Sequence, residues 1–397
     1  MAKFDPRLFT SPDRLKAISP EYLIQLFTPW APYLAARGLP IQQLSAAEFL
    51  FESLSRILMT PTDGAPKDMV DALYYIDELA DLEFEEVQAA ATKTGIKLSP
   101  QDKLTTADLV TRVWLADPKP LRDLHAENKA FRQKRFIYHT GRSSEPTPFP
   151  EVSAIQLERI ETMLDDWFEE HGRGRGSSVM IFRRENHVWI MIRHGLPHQR
   201  IGTHGEDGSS GTQVFRPQTH DILLYDEALN ELGLSGGTKG ERTIYAHALG
   251  LILFGDLTYF GESAKFTLDP LIALGGDALL CDDIEGIDRI VLEEVCRYFG
   301  GAFGYKDVHR AKDLFGHHGK SWLTNLARAR ITSASFRVFF TGGSTTGCRV
   351  KIMPPNQASY ERDEDGLRIE AWLTARGFIR IPANEADDDA EPVLDVA

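Results

Sequence analysis

The sequence predicts an α+β protein: an N-terminal helical domain followed by an α+β domain of antiparallel hairpins with flanking helices. Three observations carry this. Apolar residues recur at helical spacing through the first third of the chain. After residue 177 the period changes to two. Between these regions lies a polar stretch with three prolines, HTGRSSEPTPFPEV. A chain of 397 residues, 42% apolar and 26% charged, matches an ordinary globular protein of about two domains. The expected division is a helical domain over 1–140, a linker over 141–152, an α+β domain over 153–382 and a disordered acidic tail over 383–397.

The elements follow in order. In Asp68 to Ala90, Met69, Leu73, Ile76, Ala80 and Val87 fall on one helical face, with acids opposite. Thr105 and Asp108 resemble a capping box before Leu109, Val110, Val113 and Trp114, and Pro118 and Pro120 end that segment. A helix is expected over Ala154 to His171, with Ile155, Ile160, Met163, Leu164 and Phe168 inward. Ser178 to Phe182 and His187 to Arg193 read as strands joined near Glu185-Asn186. Gly202 to Gly211 reads as a loop, and His220 to Tyr225 with Glu231 to Leu234 as a second hairpin. Gly240 to Phe254 is a mostly apolar helix, and Ile287 to Tyr298 fits helix or strand. Ser335 to Phe340 and Arg349 to Met353 flank a turn at Gly342 to Gly347; a helix over Leu367 to Arg376 and a strand over Phe378 to Ile381 close the chain.

Charge is uneven. The net −14 divides into −5 over 1–124, +2 over 125–204 and −11 over 205–397. An acidic whole does not draw polyanions from a distance, so any nucleic-acid contact must be local and salt-sensitive. Three widely spaced cysteines, Cys281, Cys296 and Cys348, argue against a disulfide framework or a thiolate zinc site and fit a reducing cytoplasm. The opening MAKFDPRLFTSPDR lacks a secretory apolar run, and Ala246 to Phe254 is too short to span a bilayer. No membrane contact and no cofactor are expected.

Between His171 and His204 stand five histidines and six arginines against one acid, Glu185. Dense His and Arg in a Gly-rich frame suits an anion. The candidate ligand-binding residues are Arg173, Arg175, Arg183, Arg184, Arg193, His194, His198 and Arg200. Arg132, Lys134, Arg135 and Arg142 lie upstream, with Phe131, Phe136, Tyr138 and Trp189 interleaved as on a base-stacking surface. The alternative is a solvated face whose arginines pair with acids elsewhere.

Arg193-His194-Gly195, after an apolar strand, resembles the signature of the histidine phosphatases, which implies a phosphoryl-accepting histidine clamped by arginines. The match is three residues long, in a hairpin. His194, His198 and His204 with Glu206 offer zinc donors, but Pro197 and Gly202 break the single helix their spacing would need, and Arg193 and Arg200 repel a dication. The stretch from His220 to Tyr245 is similar to metal-dependent nucleases of the restriction-endonuclease type. Asp221 matches the first acid, while Gly237-Thr238-Lys239 stands where acid-x-Lys is expected, with Gly for the acid; Glu158 and Glu161 lie on the preceding helix. That implies a degenerate copy of the core.

The expected function is therefore a non-enzymatic accessory subunit. It has a protein partner through its helical domain and contacts nucleic acid or a phosphorylated partner through the His/Arg region. The alternative is a metal-dependent nuclease or phosphoesterase using His194 or Asp221 and Lys239.

Overall fold

The computed structural model describes residues 6–62, 64–96, 103–143, 145–184, 187–205, 207–300, 302–324 and 329–380. It is a mixed α+β protein in two compact units: residues up to Lys129 together with Gly202–Gly211, and Ala130–Ile201 with Thr212 onward.

The first unit is helical. Its helices are α1 (Arg7–Thr10), α2 (Pro12–Leu15), α3 (Pro20–Phe27), α4 (Ala31–Ala36), α5 (Phe51–Met59), α6 (Lys67–Ala80), α7 (Phe84–Lys93), α8 (Thr106–Ala116) and most of α9 (Lys119–Phe131). Phe9, Leu23, Phe27, Leu54, Leu73, Ile76, Leu109 and Val113 bury one continuous core. The helix expected over Asp68 to Ala90 is two, broken at Asp81 to Glu83. Thr105 caps α8 by accepting from the Asp108 N–H, but Asp108 does not return the bond. Its carboxylate turns inward and accepts the Ser19 N–H at 2.6 Å, pinning the start of α3. Pro118 and Pro120 do end α8, and Pro120 then sits in the first turn of α9, where a missing N–H costs nothing.

The second unit contains β1 (Arg135–Gly141), α10 (Ala154–Glu170), β2 (Ser178–Arg184), β3 (His187–Gly195), β4 (Gln199–His204), β5 (Ser210–Phe215), β6 (Gln218–Asp226), β7 (Glu231–Leu234), α11 (Lys239–Leu253), β8 (Phe260–Glu262), α12 (Asp269–Ala273), β9 (Ile287–Gly300), β10 (Tyr305–Arg310), α13 (Leu314–His318), β11 (Arg330–Phe340), β12 (Cys348–Met353), β13 (Gln357–Ser359) and α14 (Glu364–Ala375), with the β4–β5 tip assigned to the first unit. The main sheet runs β10-β9-β11-β12-β13-β1-β7-β6-β3-β2, with β8 also on β1. Its described pairings are antiparallel. β4 and β5 form a separate ribbon.

Each face is covered over a different half. On one, Ile190, Ile192, Leu223, Tyr225, Leu232 and Leu234 pack under α10 and α11. On the other, Phe336 meets Trp372 of α14 and Phe378, with ring centroids at 5.2 and 5.5 Å. Capping boxes fix the starts of both covering helices: Ser153 with Gln156 on α10, Thr238 with Glu241 on α11. Such caps contribute about 1 kcal/mol each.

Several expectations are corrected here. Residues 135–141 do not end a helical domain or open a linker; they form β1, inside the sheet. Residues 142–152 pack on this unit: Tyr225 Oη donates to the Thr147 carbonyl at 2.9 Å, Asn230 Nδ2 to the Ser143 carbonyl at 2.8 Å, and Phe149 is buried. The prolines fix an extended path across the surface and free no hinge. Ile155 is 72% exposed, so α10 buries Ile160, Leu164 and Phe168 without it. Ile287 to Tyr298 is strand β9, decided by pairing on both sides. Part of the loop expected over Gly202 to Gly211 belongs to β4 and β5. The last strand reduces to one bridge, Phe266 with Ile379. Glu185, Asn186, Glu206, Ile381 and the acidic tail lie outside the described residues. The restriction-endonuclease-like core is not confirmed: Gly237 to Lys239 leads into α11 instead of lying on a strand, and the β4–β5 ribbon is inserted in the chain between the paired strands β3 and β6.

Candidate functional site

Strand alternation brings His194 of β3 and Asp221 of β6 onto the face under α10 and α11. Asp221 pairs with Ile192, two residues before His194. Helical spacing then adds Glu241 and Tyr245, four apart on α11. His194 Nε2 is 3.1 Å from Asp221 Oδ2 and 3.4 Å from the Tyr245 hydroxyl. That hydroxyl donates to Asp221 Oδ2 at 2.5 Å. Burial, then the Asp221 carboxylate, push the Tyr245 hydroxyl far above its ordinary pKa, so it remains a neutral donor. Phe168 stacks on the imidazole at 4.3 Å, and Arg173 pairs with Glu241. None of His194, Asp221, Glu241 and Tyr245 is more than 8% exposed. A His–Asp pair can move protons, but a substrate cannot reach this one in the arrangement seen. His194, Asp221 and Glu241 do place three ligand atoms within 4.8 Å of one another.

A second site lies on the uncovered face of the β9–β12 half. One cross-strand row runs Arg310, Glu294, Ser335, Lys351, Ser359 and Arg135 over β10, β9, β11, β12, β13 and β1. A parallel row runs Lys306, Tyr298 and Arg330, with the Lys306 ammonium 5.7 Å from the Tyr298 ring. Arg337 and Arg349 sit directly opposite each other on β11 and β12. Like charges so placed destabilise a sheet unless a counterion intervenes. Glu293 accepts from Arg337 at 2.9 and 3.1 Å. Glu294 is shared by Arg310 at 2.6 Å, Lys351 at 3.2 Å and Arg349 at 3.4 Å. It is 4% exposed, hidden under its partners' side chains. Burial pushes its pKa up, but Lys351 and Arg310 outweigh that and hold the carboxyl below its ordinary value. Among the described residues of β9–β12, this face carries Arg289, Lys306, Arg310, Arg330, Arg337, Arg349 and Lys351, of which four reach these two carboxylates. At the hairpin tip Phe299 and Tyr305 lie 5.2 Å apart, and Phe303 is 99% exposed.

The residues singled out from the sequence are dispersed. Arg193 is exposed and His194 buried, because neighbours on a strand point to opposite faces; the tripeptide cannot clamp one phosphate. Arg173 is taken up by Glu241, Arg175 by Asp166 and Glu169, and Arg183 by Glu227. Arg184 lies 4.9 Å over Phe131 and lines a pocket of about 80 Å³ with His187, Arg362 and Glu370. His198 and Arg200 are exposed, Arg200 donating to Thr212. Lys239 is exposed at the first turn of α11, and the carboxylate that joins Asp221 is Glu241. Phe136, Tyr138 and Trp189 are core, not stacking platforms. Glu158 is exposed, and Glu161 accepts the Val179 N–H. Glu241 and Tyr245 were readable as T-x-x-E followed by Tyr four residues on. The cationic face was hidden by a regional net charge of −11 that includes the six acids of the tail.

No protein-family model matches the chain, and no curated protein matches it either. No described helix is long and apolar enough to cross a membrane.

Proposed function

We propose that this protein binds single-stranded nucleic acid through the outer face of β9–β12, acting as a binding subunit and not at a catalytic pocket. The observation that carries the reading is the undercompensated charge: Arg310, Arg349 and Lys351 share one carboxylate while Arg337 and Arg349 face each other. Phosphates arriving there relieve repulsion already present. The broad strand surface suits a flexible backbone, and Tyr298 on this face with the exposed Phe303 at the β9–β10 tip offers rings for unstacked bases. The sealed state of the His194 cluster supports placing the function on this surface.

The test is fluorescence anisotropy with labelled single- and double-stranded oligonucleotides across a salt series. Binding should favour single strands, and log affinity should fall by about 0.7 per phosphate contact per log unit of salt. Arg337→Glu with Arg349→Glu should cut affinity at least tenfold and flatten that slope. Arg14→Glu with Lys16→Glu, on exposed pairs of the first unit, should do neither. Absence of binding at 50 mM salt, or equal loss from both double variants, overturns the proposal.

A further inference from the structure

The buried cluster between α11 and the β3–β6 pair contains a shortage of protons. His194 Nδ1 lies 2.9 Å from the Gly195 carbonyl, which can only accept, so Nδ1 carries the hydrogen. In the neutral ring Nε2 is then a bare lone pair. It points at Asp221 Oδ2, another acceptor, 3.1 Å away, and at the Tyr245 oxygen, 3.4 Å away. The Tyr245 hydrogen is already committed to Asp221. Lone pairs converging this closely in a buried site need a positive charge among them.

We propose that His194 Nε2, Asp221 and Glu241 bind a divalent first-row metal ion, zinc being the best fit, with the Tyr245 hydroxyl holding Asp221 in place as a hydrogen-bond donor. Zinc holds imidazole and carboxylate atoms at about 2.0–2.2 Å, which sets neighbouring ligand atoms about 3.4 Å apart in a tetrahedron. The 3.1 Å between His194 Nε2 and Asp221 Oδ2 is close to that edge. Glu241 lies within 4.8 Å of the other ligand atoms and needs to draw in by up to about 1.4 Å to reach that edge, on the order of a side-chain rotation. One imidazole with two carboxylates suits zinc, manganese or ferrous iron better than magnesium or calcium.

The surroundings are those of a ligand set held from behind. The Gly195 carbonyl fixes the histidine tautomer and Phe168 its plane. Arg173 and the Thr238 N–H bond the Glu241 carboxylate, and each oxygen keeps a lone pair for an ion. Arg173, two carboxylates and a dication leave one positive charge, a far smaller excess than the ion alone. Burial makes the ion structural, clasping α11 to two strands. It is not the metal site considered from the sequence: His198 and Arg200 are exposed, and Glu206 is outside the described residues.

The test uses the full chain purified without chelators. Elemental analysis should find about one zinc, manganese or iron per chain. A chelator under mild denaturant should remove it and lower the melting temperature, and returning zinc should restore both. Cobalt reconstitution should give the strong visible bands of a tetrahedral site, lost or shifted in Glu241→Gln and His194→Gln variants that circular dichroism shows to be folded. If both variants fail to fold, the wild-type metal content and cobalt spectrum decide alone. Less than about a tenth of an equivalent of any such metal, with no uptake and no thermal shift on refolding with zinc, manganese or ferrous ion, overturns the proposal. Nε2 is then protonated and the cluster is a buried imidazolium–carboxylate pair.

Discussion

Replacing Glu294 by Gln should move stability and nucleic-acid affinity in opposite directions. The carboxylate is the shared counterion of Arg310, Arg349 and Lys351. Charge-assisted hydrogen bonds of this kind are worth about 1.5–3 kcal/mol when desolvated. Here the Arg310 side chain is 73% exposed and water screens the group, so the expected cost of Glu294→Gln is about 1 kcal/mol. A phosphate seated on Arg310 and Lys351 would lie about 6 Å from the Glu294 carboxylate. At the dielectric of water that repulsion is about 0.7 kcal/mol, close to threefold in Kd. The variant should therefore melt earlier and bind single strands about threefold tighter at 50 mM salt, the gain shrinking by 200 mM. Because the wild-type carboxyl is held below its ordinary pKa, its stabilisation is present above the unfolded carboxylate pKa and is lost as pH falls through the folded value. That acid-side loss should be smaller in the variant. Urea melts across pH and anisotropy titrations read both effects. Unchanged or weaker binding by a folded Glu294→Gln protein refutes the assignment of this face.

Two further outcomes follow from the second unit. Asp226, 3.6 Å from His187, raises the histidine pKa against burial, so the pair stabilises fully below the unfolded histidine pKa and loses that contribution as pH rises through the folded one; His187→Gln should flatten the fall in urea midpoint above neutrality, and an unchanged pH profile would count against the pairing. A Cβ at Gly141 would lie 2.3 Å from the Asn230 side chain, which Tyr225 and the Ser143 carbonyl hold in place, so Gly141→Ala should cost about 1–3 kcal/mol by thermal denaturation.

The local rules in the sequence were informative where neighbours in the chain are neighbours in space. The α10 and α11 helices, the β2–β3 hairpin and the β11 and β12 strands follow from periodicity, and Thr105 from its capping role. What stayed hidden depends on distant pairing. Arg135 to Gly141 lies next to helices in sequence, and only β7, β8 and β13 make it a strand. Asp221 and His194 were visible singly, but their meeting required the β3–β6 register. In the arginine-rich stretch around residue 180, Arg173, Arg175 and Arg183 are neutralised by acids of other elements that no local pattern reveals. The cations at 289, 306, 310, 330, 337, 349 and 351 are scattered in sequence and converge only through the sheet.

The place of β1 also sets a schedule for biosynthesis. Arg135 pairs with Ser359, more than 200 residues later. At about 5–20 residues per second, a ribosome takes on the order of 10–45 s to deliver that partner. Through that interval β1 has an open edge flanked by Phe136 and Tyr138, side chains destined for the interior. The helical segments upstream, rich in local contacts, can collapse early, while the sheet waits for the last strands to leave the exit tunnel. A chain cut short before β12 and β13 would keep that edge bare, and such fragments should be the species that chaperones retain and that aggregate first.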